Sequence, residues 1–196
     1  MIGAQLSNNF PQGKREGESS RAMFSLEPSR LFRQSQRVSA KKKKSWREKL
    51  ADSKGLPKTG RIEGRMTKRW GTGTMVIPAP IEVDELMRRV PRGKLVTINE
   101  LRTALAKKHR VGMACPITTG IFSWIAAHAA EESAQEGAKR ITPYWRTLKS
   151  GGELNPKYPG GIRELSKRLR SEGHTIVQRG KRSLIVDFEK SLVQWG

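Results

Sequence analysis

The sequence contains few of the residues on which several classes of protein and site depend. One cysteine and three histidines occur among 196 residues, so an internal disulfide is excluded and a structural zinc site is not expected. No apolar run approaches the roughly 20 residues of a membrane-spanning helix, and residues 1–20 lack the apolar segment of a signal peptide. We therefore expect a cytoplasmic protein, associated with the nucleoid if the source is bacterial.

Acidic residues are scarce as well. The chain has 18 Asp and Glu residues against 39 Lys and Arg residues, which gives a net charge of +21. Such an excess predicts a polyanionic partner, with nucleic acid as the first candidate and an anionic membrane or an acidic protein as the second.

Residues 1–64 are poor in apolar side chains and show no sustained hydrophobic period. This composition predicts a disordered basic tail, which either contacts DNA phosphates in a salt-sensitive way or remains solvated. Residues 65–80 are predicted to be an extended lead-in, because Met75, Val76 and Ile77 lie between a glycine and Pro78. The preceding Gly-Thr-Gly-Thr lacks the Gly-Lys-Ser/Thr of a phosphate-binding P-loop.

Residues 81–196 carry the helical patterns. Val83, Leu86, Met87 and Val90 lie on one helical face, and Pro91 ends this first helix.

The second and third helices have clear start signals. Thr97, followed three residues later by Glu100, is a capping box, and Pro116 suits the first turn of a helix. With the intervening turn at residues 110–115 they form a helix-turn-helix pattern. The third helix should end near Gly137. Its predicted buried stripe is Ile121, Phe122, Ile125 and Ala129.

The end of the chain predicts one more helix and a hairpin. Ile162, Leu165 and Leu169 mark the fourth helix, and two β-prone runs at residues 175–178 and 183–186 flank the basic segment 179–182. Residues 187–194 predict a short C-terminal helix. The expected fold is therefore mostly α with a small β-hairpin, a winged helix-turn-helix.

Several segments resemble, in content and order, the DNA-binding domain of alkylguanine-DNA alkyltransferases, the methylated-DNA–protein-cysteine methyltransferases. They are VPRGKLVTINELRTAL, the helix that starts with a proline, PYWR and YPGGIRELSKRLRSEGH, within residues 81–175. The resemblance implies a third helix that docks in the minor groove, where an arginine replaces a flipped guanine in the stack. It also implies a Pro-Cys-His-Arg cysteine that accepts the alkyl group, with a histidine, a water and a glutamate generating the thiolate.

The matched positions have lost these reactive groups. Between Pro143 and Arg146, which match the motif, Tyr144 replaces the acceptor cysteine and Trp145 replaces the histidine, while Glu172 matches the glutamate. Because a phenol with an ordinary pKa of about 10 is a poor nucleophile at neutral pH, alkyl transfer by the family route is not expected. The alkyltransferase-like branch of the family also lacks the acceptor cysteine and binds alkylated guanine without repairing it.

The resemblance implies further replacements around the alkyl pocket. Ile98 replaces a tyrosine of the second helix, Gly120 replaces the finger arginine, and Pro159 replaces a serine after the roof tyrosine. Losing the histidine and the finger arginine departs from the alkyltransferase-like branch too. The predicted pocket residues are Tyr144, Trp145, Tyr158 and Pro159. The aromatic pair within it would either stack on a base or pack in the core.

Hydroxyl-bearing, glycine and basic residues of the third helix, the central loop and the hairpin are predicted to contact DNA. They are Thr118, Thr119, Gly120, Ser123, Arg146, Lys149, Arg179, Lys181 and Arg182. For Thr118, helix capping is an equal alternative, and for the basic residues the alternative is solubility. Trp124 could lie in the core or near the groove.

Three functions remain open from the sequence. The leading hypothesis is a non-catalytic DNA-binding protein of alkyltransferase-like ancestry, acting in DNA repair or alkylated-DNA recognition. The second is a residual or altered alkyltransferase with Tyr144 or Cys115 as acceptor, and the third is a basic scaffold for a protein partner. The expected partners are double-stranded DNA, alkylated or not, and repair proteins. We expect a monomer without cofactor, metal or membrane.

Overall fold

A computed structural model describes residues 43–195. Within this range the protein is mostly α with short strands, as expected, and no helix there is long and apolar enough to cross a membrane. The part of the predicted tail before residue 43 lies outside the described residues. The helices are α1 (Trp46–Ala51), α2 (Thr67–Trp70), α3 (Pro80–Arg88), α4 (Ile98–Lys108), α5 (Pro116–Gln135) and α6 (Gly161–Arg170).

Seven short strands form three small sheets in the described range. β1 pairs antiparallel with β2, which pairs parallel with β4; β3 pairs parallel with β5; and β6 and β7 form a hairpin. The strands are β1 (Lys58–Arg61), β2 (Thr74–Ile77), β3 (Val96–Thr97), β4 (Met113–Ala114), β5 (Thr147–Leu148), β6 (Ile176–Arg179) and β7 (Arg182–Ile185).

Residues 43–64 are folded, so the predicted tail boundary at residue 64 is wrong. α1 begins at a capping box in which the Ser45 hydroxyl accepts from the Glu48 backbone N–H at 3.1 Å. Its Trp46 ring stacks on His128 of α5 at 4.5 Å between centroids and meets Trp124 edge-on at 4.6 Å. The aromatic contacts of Trp46 thus hold α1 on α5, although the average composition of residues 1–64 resembles that of a solvated tail.

The lead-in is only partly extended. β2 confirms the strand expected at Met75 to Ile77, but residues 64–70 form a 3-10 turn and α2 instead. Four residues of α2 are too few to show a helical period in the sequence.

The three central helices lie where the sequence predicts them. The capping box of α4 is present: the Thr97 hydroxyl accepts from the Asn99 backbone N–H at 3.1 Å, and Glu100 accepts from the Thr97 backbone N–H at 2.9 Å. Leu101 and Leu105 are fully buried in the main core. These contacts fix α4 against the core, where it also packs against α5.

The buried stripe of α5 differs from the prediction. Ile121 is 46% exposed, and Phe122 and Ile125 are only half-buried. The helix packs between α1 and α3 through its small residues, because short side chains let neighbouring backbones approach closely. Its buried residues are Thr119, Ser123, Ala126, Ala127, Ala129 and Ala130.

The C-terminal part contains the predicted helix α6 and the predicted hairpin. β6 and β7 pair from Ile176 with Ile185 to Arg179 with Arg182. The predicted C-terminal helix is wrong, because residues 188–191 form only a 3-10 turn and the preceding Asp187 adopts a left-handed φ of 51°.

Candidate nucleic-acid interface

Tyr144, at the position of the family's acceptor cysteine, is fully buried. It begins a 3-10 turn (Tyr144–Arg146), and its hydroxyl donates a hydrogen bond to Glu131 of α5 at 2.9 Å. Its ring meets Trp145 and Tyr158 edge-on, at 5.5 and 6.0 Å between centroids. Burial raises the pKa of Tyr144 above its ordinary value. The phenol is therefore protonated at neutral pH and enclosed by other side chains.

Trp145 and Arg146 form a closed hydrogen-bonded unit with Glu172. The Glu172 carboxylate accepts from Trp145 Nε1 at 2.7 Å and from Arg146 Nε and Nη2, each at 2.8 Å. The Gly93 backbone N–H donates to it at 3.2 Å, while Arg146 Nη1 donates to the Val90 carbonyl at 2.7 Å. The Glu172 and Arg146 side chains are 6% and 13% exposed.

The groups of this unit are poorly suited to remove a proton from a nucleophile. Burial acts to raise the pKa of Glu172, but the hydrogen bonds from Arg146 and Trp145 outweigh it and hold that pKa below its usual range. An indole N–H donates but cannot accept a proton as imidazole does. The predicted contact of Arg146 with DNA phosphate is wrong, because its guanidinium is already committed to Glu172 and Val90.

The predicted pocket is filled at its two tyrosines. Tyr144 and Tyr158 belong to the main hydrophobic core, and Trp145 and Pro159 are half-buried beside it. The Tyr158 hydroxyl finds no hydrogen-bond partner among residues 43–195, and burial raises its pKa to about 12. The aromatic pair therefore packs in the core, the second of the two roles considered from the sequence.

An open groove of about 810 Å³ lies instead along the first half of α5. Its far wall is the loop at residues 149–157, held in place where Trp124 Nε1 donates to the Lys157 carbonyl at 3.0 Å. Apolar side chains form its inside and lysines lie on the loop side. The residues that line the groove include Ile98, Ile117, Ile121, Trp124, Lys149 and Lys157.

Sequence reasoning missed this groove because it placed Ile121 in the core. The sequence contained one signal for the groove. Ile117 and Ile121 lie about one helical turn apart, and Gly120 between them carries no side chain. A Cβ atom built on Gly120 meets nothing within 4 Å, so this helix surface is open.

Two hydroxyl residues predicted to contact DNA are fully buried. Thr119 donates to the Cys115 carbonyl at 2.8 Å and Ser123 donates to the Gly120 carbonyl at 2.9 Å. The predicted DNA contact of Thr119 is wrong, because its buried hydroxyl bonds its own helix. Ser123 also lines the groove along α5, and its contact with DNA stays a prediction. Thr118 is half-buried, with its hydroxyl 3.5 Å from the same Cys115 carbonyl.

The remaining basic positions are exposed and connected to the groove. Arg179, Lys181 and Arg182 lie at the exposed end of the β6–β7 hairpin. Lys149, 44% exposed, forms an ion pair with Glu153 at 2.7 Å.

Backbone hydrogen bonds join the hairpin to the groove loop. Leu154 donates to the Ser183 carbonyl at 2.9 Å, and Ile185 donates to the Gly152 carbonyl at 3.0 Å. The loop wall of the groove and the base of the hairpin are thus one bonded unit. The contacts of its basic residues with DNA stay a prediction.

Comparison with known proteins gives similarity at the level of solved structures. No family model matches the chain, and no curated protein matches it. A separate observation concerns metals: residues 43–195 contain no cluster of three or more His, Cys, Asp or Glu residues that could hold a metal ion.

Two similar solved structures are S. pombe proteins bound to DNA. One is Atl1 in complex with damaged DNA containing O6-carboxymethylguanine, with 19% identity and a TM-score of 0.40. The other is ATL in complex with DNA, with 20% identity and a TM-score of 0.43. Each similarity covers 59% of this chain and 94% of the other chain.

Proposed function

We propose that this protein is a non-catalytic DNA-binding protein that recognises duplex DNA and binds duplexes containing alkylated guanine more tightly. In this proposal α4, the turn at residues 109–115 and α5 form a helix-turn-helix, and the β6–β7 hairpin is its wing. The observation that carries the proposal is the open groove along α5, which has an apolar interior, a lysine-bearing wall and a backbone connection to the basic hairpin. A chain with a net charge of +21 favours a polyanion at such a surface.

The absence of transfer chemistry in this proposal rests on the two candidate acceptors. The Tyr144 hydroxyl is buried and hydrogen-bonded to Glu131, with its pKa raised. Cys115 precedes the first turn of α5 and is 6% exposed. Neither group is exposed to a ligand in the groove, so binding without repair fits the geometry better than alkyl transfer.

The expected salt dependence follows from four candidate phosphate contacts. Lys149, Arg179, Lys181 and Arg182 give a slope of log affinity against log salt of about −3.6, at about −0.9 per contact. Over a fourfold rise in salt this slope corresponds to a loss of affinity of roughly 100-fold. Cations elsewhere in the chain would make it steeper.

The test is fluorescence anisotropy with two labelled duplexes that differ only in one O6-methylguanine. Each is titrated with the full chain at two salt concentrations. The proposal expects binding to both duplexes, a steep loss with salt and tighter binding to the modified duplex. Absent binding would refute DNA binding, salt-insensitive binding would refute the proposed phosphate contacts, and equal affinity for the two duplexes would refute lesion preference.

A further inference from the structure

Two isoleucines on α5 are exposed, and for one of them, Ile121, burial was predicted. Ile117 is 50% exposed and Ile121 is 46% exposed. They are four residues apart and therefore stand on the same face, about 6 Å apart along the helix axis. Single exposed isoleucines are ordinary, but two aligned on one turn form a continuous apolar ridge.

The ridge is both prominent and stiff. The open space above Gly120, between the two isoleucines in sequence, lets an object approach the helix backbone closely there. A β-branched side chain in a helix is held close to one χ1 rotamer, so little side-chain entropy is lost when it inserts. An exposed and rigid apolar side chain of this kind is suited to insertion between two stacked groups.

The surroundings of the ridge indicate which ligand it meets. It borders the same groove as Trp124, and Lys149 and Lys157 lie on the opposite wall. A purely apolar partner helix would satisfy the isoleucines but would offer no anionic group to Lys157 on the opposite wall. Duplex DNA offers phosphates outside and apolar base faces inside, so it complements both parts of this surface.

We propose that Ile117 and Ile121 form an apolar wedge that enters one base step of bound duplex DNA from the minor groove and unstacks it. This inference rests on the proposed DNA binding. Apolar side chains inserted in this way kink and partly unstack the duplex. The wedge would distort the part of the duplex that faces Gly120, where the helix has no side chain.

The experiment uses duplexes that carry 2-aminopurine, whose fluorescence is quenched when it is stacked, at successive positions. The full chain is added until anisotropy shows that the duplex is bound. The wedge predicts a rise in fluorescence at one or two adjacent positions. The double variant Ile117→Ala, Ile121→Ala should lose most of that rise and about tenfold in affinity, with an unchanged salt slope.

Ile81→Ala is the matched control, because Ile81 is 42% exposed on α3 and does not line the groove. It should keep both the fluorescence rise and the affinity, and circular dichroism melting should be similar for all three proteins. Binding without a fluorescence rise, or a rise that the double variant keeps, would overturn the wedge and leave DNA binding intact. Absence of binding would overturn the wedge and the proposed function together.

Discussion

Replacing Glu172, two residues after the end of α6, by alanine is expected to destabilise the protein strongly. The substitution removes the acceptor of Trp145 Nε1, of two Arg146 nitrogens and of the Gly93 amide. Arg146, only 13% exposed, is then left as a buried cation without a counter-charge.

The size of the effect follows from that unpaired charge. Removing one partner of a buried ion pair costs about 3–5 kcal/mol, of which the unsatisfied donors account for a large part. For a chain of this length each kcal/mol lowers the melting temperature by roughly 2–4 °C. A loss of about 4 kcal/mol therefore predicts a melting temperature lower by roughly 8–16 °C.

The assay is urea unfolding followed by tryptophan fluorescence and circular dichroism. Lys190→Ala is the control, because it breaks the Lys190–Asp187 pair, whose side chains are 79% and 61% exposed. Because solvent screens an exposed pair, Lys190→Ala should change the stability little. If Glu172→Ala costs no more than Lys190→Ala, the account of Glu172 as the centre of a closed structural unit is refuted.

The same residue predicts a pH dependence. The pKa of Glu172 is lower in the folded protein than in the unfolded chain, where it has its ordinary value. Its contribution is therefore fully present above the unfolded pKa of about 4.3 and is lost as pH falls through the folded pKa. The stability difference between the wild type and Glu172→Gln should accordingly shrink as pH is lowered below about 4.

Three further predictions concern the DNA-binding face and α1. Lys181→Gln should reduce the salt slope by about 0.9, whereas Lys107→Gln, at the end of α4 remote from the groove, should leave it unchanged; both are measured by anisotropy. Gly120→Arg should weaken DNA binding in the same assay, because the added side chain would fill the open space through which the duplex approaches the helix; unchanged or tighter binding would contradict that approach. Trp46→Ala should lower the free energy of unfolding by about 1–3 kcal/mol, from its two aromatic contacts in the α1–α5 cluster. An unchanged urea midpoint would show that α1 does not hold α5.

Local signals in the sequence were sufficient for the central helices and the hairpin. The Thr97–Glu100 capping box and Pro116 act within a few residues of where they stand, and α4 and α5 begin at those positions. The hairpin strands likewise follow from two β-prone runs around a basic turn that contains Gly180. Short-range hydrogen bonding and sterics determine these features, so sequence alone predicts them.

Features that depend on distant partners could not be predicted. α1 is held by Glu132, whose carboxylate accepts from the Trp46 and Arg47 backbone N–H groups more than 80 residues away in sequence. Arg146 looks like a phosphate ligand in the sequence, yet Glu172, 26 residues later, already pairs with it.

The orientation of α5 is a second example. Its alanines face the core while Ile121 faces outward, because neighbouring helices pack closely against the small residues. A hydrophobicity pattern ranks isoleucine above alanine for burial and so chooses the wrong face. The exposure of Ile121, and with it the groove, depends on this packing of α5.

Native mass spectrometry of the full chain with an O6-methylguanine duplex tests most directly whether the protein holds DNA without reacting with it. The account predicts a complex whose mass is the sum of protein and duplex, and a released protein of unchanged mass. A released protein heavier by one methyl group, on Tyr144 or Cys115, would contradict the account, and so would the absence of any complex.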